Sequence, residues 1–198
     1  MTKALNLCYN NINKGGIIKM KSKRLFNQIL KPYKTILKEI IGDYTSVRVS
    51  IDTGFACYCR KDYQPEITIP IYQEKQGKDM FDLKMRKKLE KAGLDTNYSN
   101  EIIAFLHEIG HIYTYNRFND IIYIIVNKII NFCTLHFSEI DWLMKLCQHW
   151  YFNQALEKNA DKWAIDYIKE HQEQVKQWQI MLRKNYDKYL LRAVASIN

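Results

Sequence analysis

Residues 101–113 read Glu-Ile-Ile-Ala-Phe-Leu-His-Glu-Ile-Gly-His-Ile-Tyr, and the fold is read outward from them. His107 and His111 stand at i and i+4. On an α-helix that spacing puts both imidazoles on one face, where they can reach a single Zn²⁺. Glu108, beside the first histidine, is placed to take a proton from water at an open metal position. The neighbours Ile102, Ile103, Leu106, Ile109 and Ile112 make the segment apolar on nearly every side, a pattern that predicts a buried helix. Two buried histidines beside a buried glutamate are costly without a partner, and a metal ion is such a partner. Gly110 sits where glycine costs about 1 kcal/mol against alanine. Its presence predicts close approach of a neighbouring backbone or a substrate.

A catalytic zinc takes three protein ligands and keeps one position open. A third histidine six residues after His111 is ruled out, because Arg117 stands there, and Thr114 replaces the glycine such an extension requires. A later helix offers another solution. Glu157, Ala160, Asp161 and Ala164 recur at i, i+3, i+4 and i+7, one helical stripe. Two acids on a stripe otherwise made of alanine are not an ordinary core face, and the small side chains let this helix approach the first closely. Glu157 is therefore assigned as third ligand. Asp161, one turn on, is assigned as the carboxylate that accepts the other ring N–H of His107 and fixes its tautomer. His149, His136, Glu139 and Asp141 are the rival ligands. Tyr115, one turn beyond His111, is a candidate oxyanion donor, as are Tyr113 and Tyr151.

The segment Phe105-Leu-His-Glu-Ile-Gly-His111, followed by Glu157-x-x-Ala160-Asp161-x-x-Ala164, resembles the gluzincin peptidases. Within them it is most similar to the ImmA/IrrE-type metallopeptidases of phages and mobile elements. That resemblance, carried by residues 100–168, implies a zincin-like domain and zinc-dependent hydrolysis of peptide bonds in an intracellular protein. It further implies a helix-turn-helix repressor as substrate. Two features depart from the family pattern. The stretch between the motifs is long, and no proline follows Pro70.

The chain has 198 residues, an apolar fraction of 47% and a net charge of +9, a balance that suits one domain with a real core. Five cysteines (Cys8, Cys57, Cys59, Cys133, Cys147) contain no Cys-x-x-Cys pair, which argues against a zinc ribbon. The odd count and the lack of a signal-peptide pattern favour a reduced, cytoplasmic protein. Basic residues gather at 19–24, at 84–91 and near the C-terminus. These are expected to be solvated helix faces. The alternative is a zincin-fold regulatory or DNA-associated protein that works through them.

Residues 1–19 are expected to be a non-native leader ahead of a native start at Met20, the alternative being a genuine flexible N-terminus. Lys14-Gly-Gly-Ile-Ile-Lys-Met20 back-translates to a ribosome-binding site at proper spacing before a start codon. Residues 20–198 are then expected to form one domain. A helix is predicted over 22–41, broken or bent at Pro32 and ended by Gly42-Asp43. Alternation predicts strands at 45–51, 55–60 and 66–72, with Pro70 confining the last to a sheet edge or a strand end. An exposed edge strand would hold an extended substrate by β-addition. A basic helix at 79–92 ends at Gly93, and Asn97 to Ser99 is expected to cap the motif helix. Residues 120–135, the most apolar stretch, are too short and too interrupted to span a bilayer and are expected to form a buried helix. The sharper reading of this stretch is a docking surface or a membrane-lying helix. Helices at 138–171 and 173–195 complete a mainly helical α+β fold with a small three-stranded, largely antiparallel sheet.

Overall fold

Ser99 begins the helix on which the fold is organised. Its hydroxyl accepts the Ile102 N–H at 3.4 Å, and its own N–H donates to Gln179 Oε1 at 2.6 Å. The helix runs Asn100–Thr114. Every residue from Glu101 to His111 is buried, as its all-round apolar sequence requires. The computed structural model describes residues 16–42, 46–52, 56–60, 63–70, 80–115, 117–137 and 139–195. In chain order these form α1 (Gly16–Ile41), β1 (Arg48–Asp52), β2 (Ala56–Arg60), β3 (Tyr63–Pro70), α2 (Met80–Lys91), α3 (Asn100–Thr114), α4 (Arg117–Phe137), α5 (Asp141–Phe152), α6 (Ala155–Glu170) and α7 (Gln172–Ala195). Residues 1–15 of the expected leader lie outside the described residues, and residues 16–19 belong to α1.

The architecture is mainly helical with one small sheet. Three strands pair in the order β1-β3-β2. The expectation of a largely antiparallel sheet is corrected: β1 and β3 run parallel, and β2 pairs with β3 antiparallel, so the sheet is mixed. The strand carrying Pro70 is central, not an edge. Pro70 is tolerated because it is the last residue of β3, paired with Asp52 at the end of the ladder. Central placement also explains why Ile67, Thr68 and Ile69 are buried in succession, whereas on edge strand β1 the buried Val49 alternates with the exposed Arg48. Sheet and motif helix meet through β2 and β3. Between them and α1, α2, α6 and α7 lies the core, including Ile36, Leu37, Ile67, Met85, Phe105, Ile109, Ile168 and Trp178.

Helix ends follow local chemistry. Gly42 (φ +77°) and Gly93 (φ +69°) take the left-handed conformation just past α1 and α2, where a side chain would be strained. Helix α1 runs on through Pro32. The single helix expected over 138–171 is two, α5 and α6. Asn153 ends the first: its N–H and side-chain amide both donate to the His149 carbonyl, at 3.1 and 2.8 Å. Gln154 then takes an extended conformation before α6 starts.

The apolar stretch at 120–135 is helical but not buried, against expectation. Ile125 is 54% exposed, Phe132 57% and Leu135 78%. Helix α4 packs on α5 and lightly on α6, so most of its circumference has no covering element among the described residues. No described helix is long and apolar enough to cross a membrane.

The tightest helix crossing is α3 on α6. A Cβ built on Gly110 would lie 2.7 Å from the Ala160 carbonyl oxygen and 3.0 Å from its Cα. The glycine is thus explained by the backbone of α6. Gly110→Ala is expected to lower stability by about 1–3 kcal/mol through overpacking, although helix propensity alone would raise it by about 1 kcal/mol. Urea unfolding of the two proteins decides the sign, and a stabilised variant would mean that the two helices do not approach this closely.

Candidate metal centre

Helices α3 and α6 bring three side chains to one point. His107, His111 and Glu157 are all buried, and their ligand atoms lie within 4.8 Å of one another, the one such group among the described residues. The two Nε2 atoms are 3.1 Å apart. Glu157 Oε2 is 3.3 Å from His107 Nε2, and Oε1 is 3.6 Å from His111 Nε2. Ligand bonds of about 2.0–2.1 Å in a tetrahedron give edges of about 3.3 Å. The histidine–histidine separation and the nearest approach of each histidine to the carboxylate are close to that length, the two approaches being made to different oxygens of Glu157. Glu157 belongs to the first turn of α6, where the helix dipole favours a carboxylate.

Asp161 is fully buried one turn beyond Glu157. Its Oδ1 lies 2.9 Å from His107 Nδ1. That is hydrogen-bond distance, but the N–H is not well aligned, and neither atom has another hydrogen-bond partner. His111 Nδ1 is likewise buried without a partner. The other oxygen, Asp161 Oδ2, receives Lys84 Nζ and Lys88 Nζ from α2, each at 2.6 Å.

The electrostatics separate the two histidines. Burial pulls His107 down, but its contacts with Asp161 and Glu157 and the charge of Glu108 outweigh that and hold it at about 9. His111 is lowered to about 4 by burial and by the neighbouring positive charge of His107. Burial raises Glu157, and the His107 contact and the charges of His107, His111 and Lys84 more than reverse it, so its carboxyl sits low. Asp161 is lowered likewise: His107 and the two lysines overcome its burial. Near neutral pH His107 is therefore the protonated imidazole and His111 the neutral one, beside the ionised Glu157 and Asp161.

Among the remaining expected residues, Glu108 is buried on α3 and close enough for its charge to act on His107. Tyr115 is the residue at which α3 ends. Tyr113 is committed elsewhere: it donates to the Ile40 carbonyl at 3.2 Å and stacks on Trp163. The rival ligands His136, His149 and Glu139 are exposed, and the side chain of Asp141 lies outside the described residues. Sequence reasoning missed Lys84 and Lys88 as part of this site. Their signal was present: Phe81, Lys84, Met85 and Lys88 share one helical face, an apolar stripe interrupted by two cations.

Comparison of the chain with protein-family models, curated proteins and solved structures yields no match. The functional reading therefore rests on the geometry of the site itself.

A metal held at this group would have to displace the His107 proton, whereas His111 already presents a free nitrogen. Each zinc bound at pH 6 is expected to release close to one proton, since a coordinated water adds little at that pH. Affinity is expected to fall about tenfold per pH unit as pH drops from 9 toward 6. Calorimetric titration in buffers of different ionisation enthalpy counts the protons. A count near zero or two would contradict the assigned protonation states.

Proposed function

We propose that the chain is a zinc metallopeptidase of the gluzincin type, with His107, His111 and Glu157 as metal ligands. The observation that carries this reading is the buried group of two histidines and a glutamate whose ligand atoms lie within 4.8 Å of one another, with a carboxylate against the outer nitrogen of one histidine. Such an outer carboxylate is the usual companion of a metal-bound imidazole. Nitrogen and oxygen donors of this kind suit zinc. The unpartnered His111 Nδ1 fits less well, since a second ligand histidine would ordinarily have its own acceptor.

Zinc held there would supply Lewis acidity that polarises a scissile carbonyl. The chain's own residues do the remainder. Glu108 takes the proton from the attacking water and passes it to the leaving amine. Asp161 holds the His107 ring in the tautomer that leaves Nε2 free to ligate. Tyr115, four residues after the ligand His111, is the candidate donor to the developing oxyanion. Strand β2 is an edge of the sheet and packs on α3, so its outer side is where an extended peptide would add as a further strand. A helix-turn-helix repressor in the cytoplasm is the substrate suggested by the ImmA/IrrE resemblance.

The competing reading, a zincin-fold regulatory or DNA-associated protein acting through basic surfaces, loses part of its basis. Two of the α2 lysines it would use are directed to Asp161 rather than to solvent.

Glu108→Gln is expected to retain zinc and to lose cleavage by at least about a thousandfold, whereas His107→Ala loses both. Metal content by elemental analysis and proteome-wide cleavage mapping, wild type against Glu108→Gln, report the two properties separately. Cleavage that persists in Glu108→Gln would remove the glutamate from the mechanism. Zinc uptake unaffected by His107→Ala would remove the site.

A further inference from the structure

Helix α2 turns one face to the metal centre. Phe81 sets its ring edge-on to His107, centroids 5.0 Å apart at 71°. One turn along, Lys84 and Lys88 place both ammonium groups 2.6 Å from the same atom, Asp161 Oδ2. The two cations are largely withdrawn from water: their side chains are 18% and 33% exposed, and that of Asp161 is 0% exposed. Two ammonium groups on one fully buried carboxylate oxygen do not make a solvated helix face.

The charge balance shows what they are for. An ionised carboxylate so deeply buried needs a compensating positive charge. A histidine that ligates a metal is neutral, and the charge of a metal held here would be shared with Glu157 and Glu108 as well as Asp161. The lysines of α2 are the positive charges in direct contact with Asp161. They also divide the carboxylate: Oδ2 is tied to α2, which leaves Oδ1 directed at His107 Nδ1. Arranged in this way, the carboxylate can only accept from the imidazole.

We propose that Lys84 and Lys88 are positioning residues of the metal centre, holding Asp161 Oδ2 so that Oδ1 stays turned toward His107. The proposal rests on the metal-centre reading above. It makes α2, a helix that contributes no ligand, part of the metal-binding apparatus, and it assigns part of the chain's basic character to the inside of the molecule. Neither lysine is a catalytic residue, because each reaches the metal ligand only through the carboxylate.

The test is zinc affinity of the full chain, measured by competition with a chromogenic chelator, across a mutant cycle. Replacing both lysines (Lys84→Met with Lys88→Met) is expected to weaken zinc binding about tenfold or more, the scale of an outer-partner loss. Asp161→Asn alone is expected to cause a similar loss, and adding both lysine changes to Asp161→Asn to change affinity less than about twofold. Lys84→Arg with Lys88→Arg is expected to restore affinity to within about threefold of wild type, since the charge and donors return. A merely structural role of α2 would persist in the Asp161→Asn background. The single changes Lys84→Met and Lys88→Met, each expected to give an intermediate loss, serve if the double variant fails to fold. Unchanged affinity on removing both lysines would overturn the proposal. So would tighter zinc binding, which would mark the lysines as through-space repulsive charges, or a loss that persists without Asp161. If wild type binds no more zinc than His107→Ala, the metal-centre reading itself fails and takes this proposal with it. That result is recognisable because no variant then differs from any other.

Discussion

The close crossing of α3 over α6 is the constraint on which the site depends. Gly110 and Ala160 meet backbone to backbone, with no room for a Cβ. The proposed ligands are placed by that contact. His107 and His111 flank Gly110 on one helix, and Glu157 and Asp161 flank Ala160 on the other. Side chains three and four apart share a helical face, so fixing one point of contact fixes four functional groups. Ala164, also fully buried, continues the small-residue track along which the helices lie together. A larger residue at either crossing point would separate the histidines from the carboxylates by a substantial part of a ligand-bond length.

Such packing concentrates ionisable groups in a dry interior. Glu108, His107, His111, Glu157 and Asp161 are all buried. An unbalanced set of this kind would be strongly destabilising. The structure balances it with cations from outside the two helices, Lys84 and Lys88 on α2, and with a proton on His107 in the metal-free state. The same features that make the interior tolerable also suit the proposed metal. His111 is held neutral, Glu157 is held ionised, and the outer nitrogen of His107 faces a carboxylate.

Much of the site was legible in the sequence because it is written in helical spacing. Histidines at 107 and 111 and acids at 157 and 161 on an alanine-lined stripe require only the helical period to be placed on facing surfaces. Gly110 announced a close approach that Ala160 makes. The face shared by Phe81, Lys84, Met85 and Lys88 marked two cations beside an apolar stripe, but nothing local named the carboxylate in a distant helix that they meet. The pairing of the sheet was hidden for a similar reason: alternation marks a strand but not its direction, and β1 and β3 run parallel around an intervening β2. Apolarity predicted a helix near 120–135 but not what would cover it, and α4 is largely uncovered among the described residues. The break between α5 and α6 lacks glycine and proline, and its signal was the capping capacity of Asn153.

The most direct test of the account is X-ray absorption at the zinc edge on the chain loaded with one equivalent of zinc. A site built from His107, His111 and Glu157 predicts nitrogen and oxygen neighbours at about 2.0–2.1 Å, outer-shell scattering from two imidazole rings and no sulfur. A sulfur shell near about 2.3 Å, or outer-shell scattering from fewer than two imidazoles, would place the metal elsewhere and contradict the assignment.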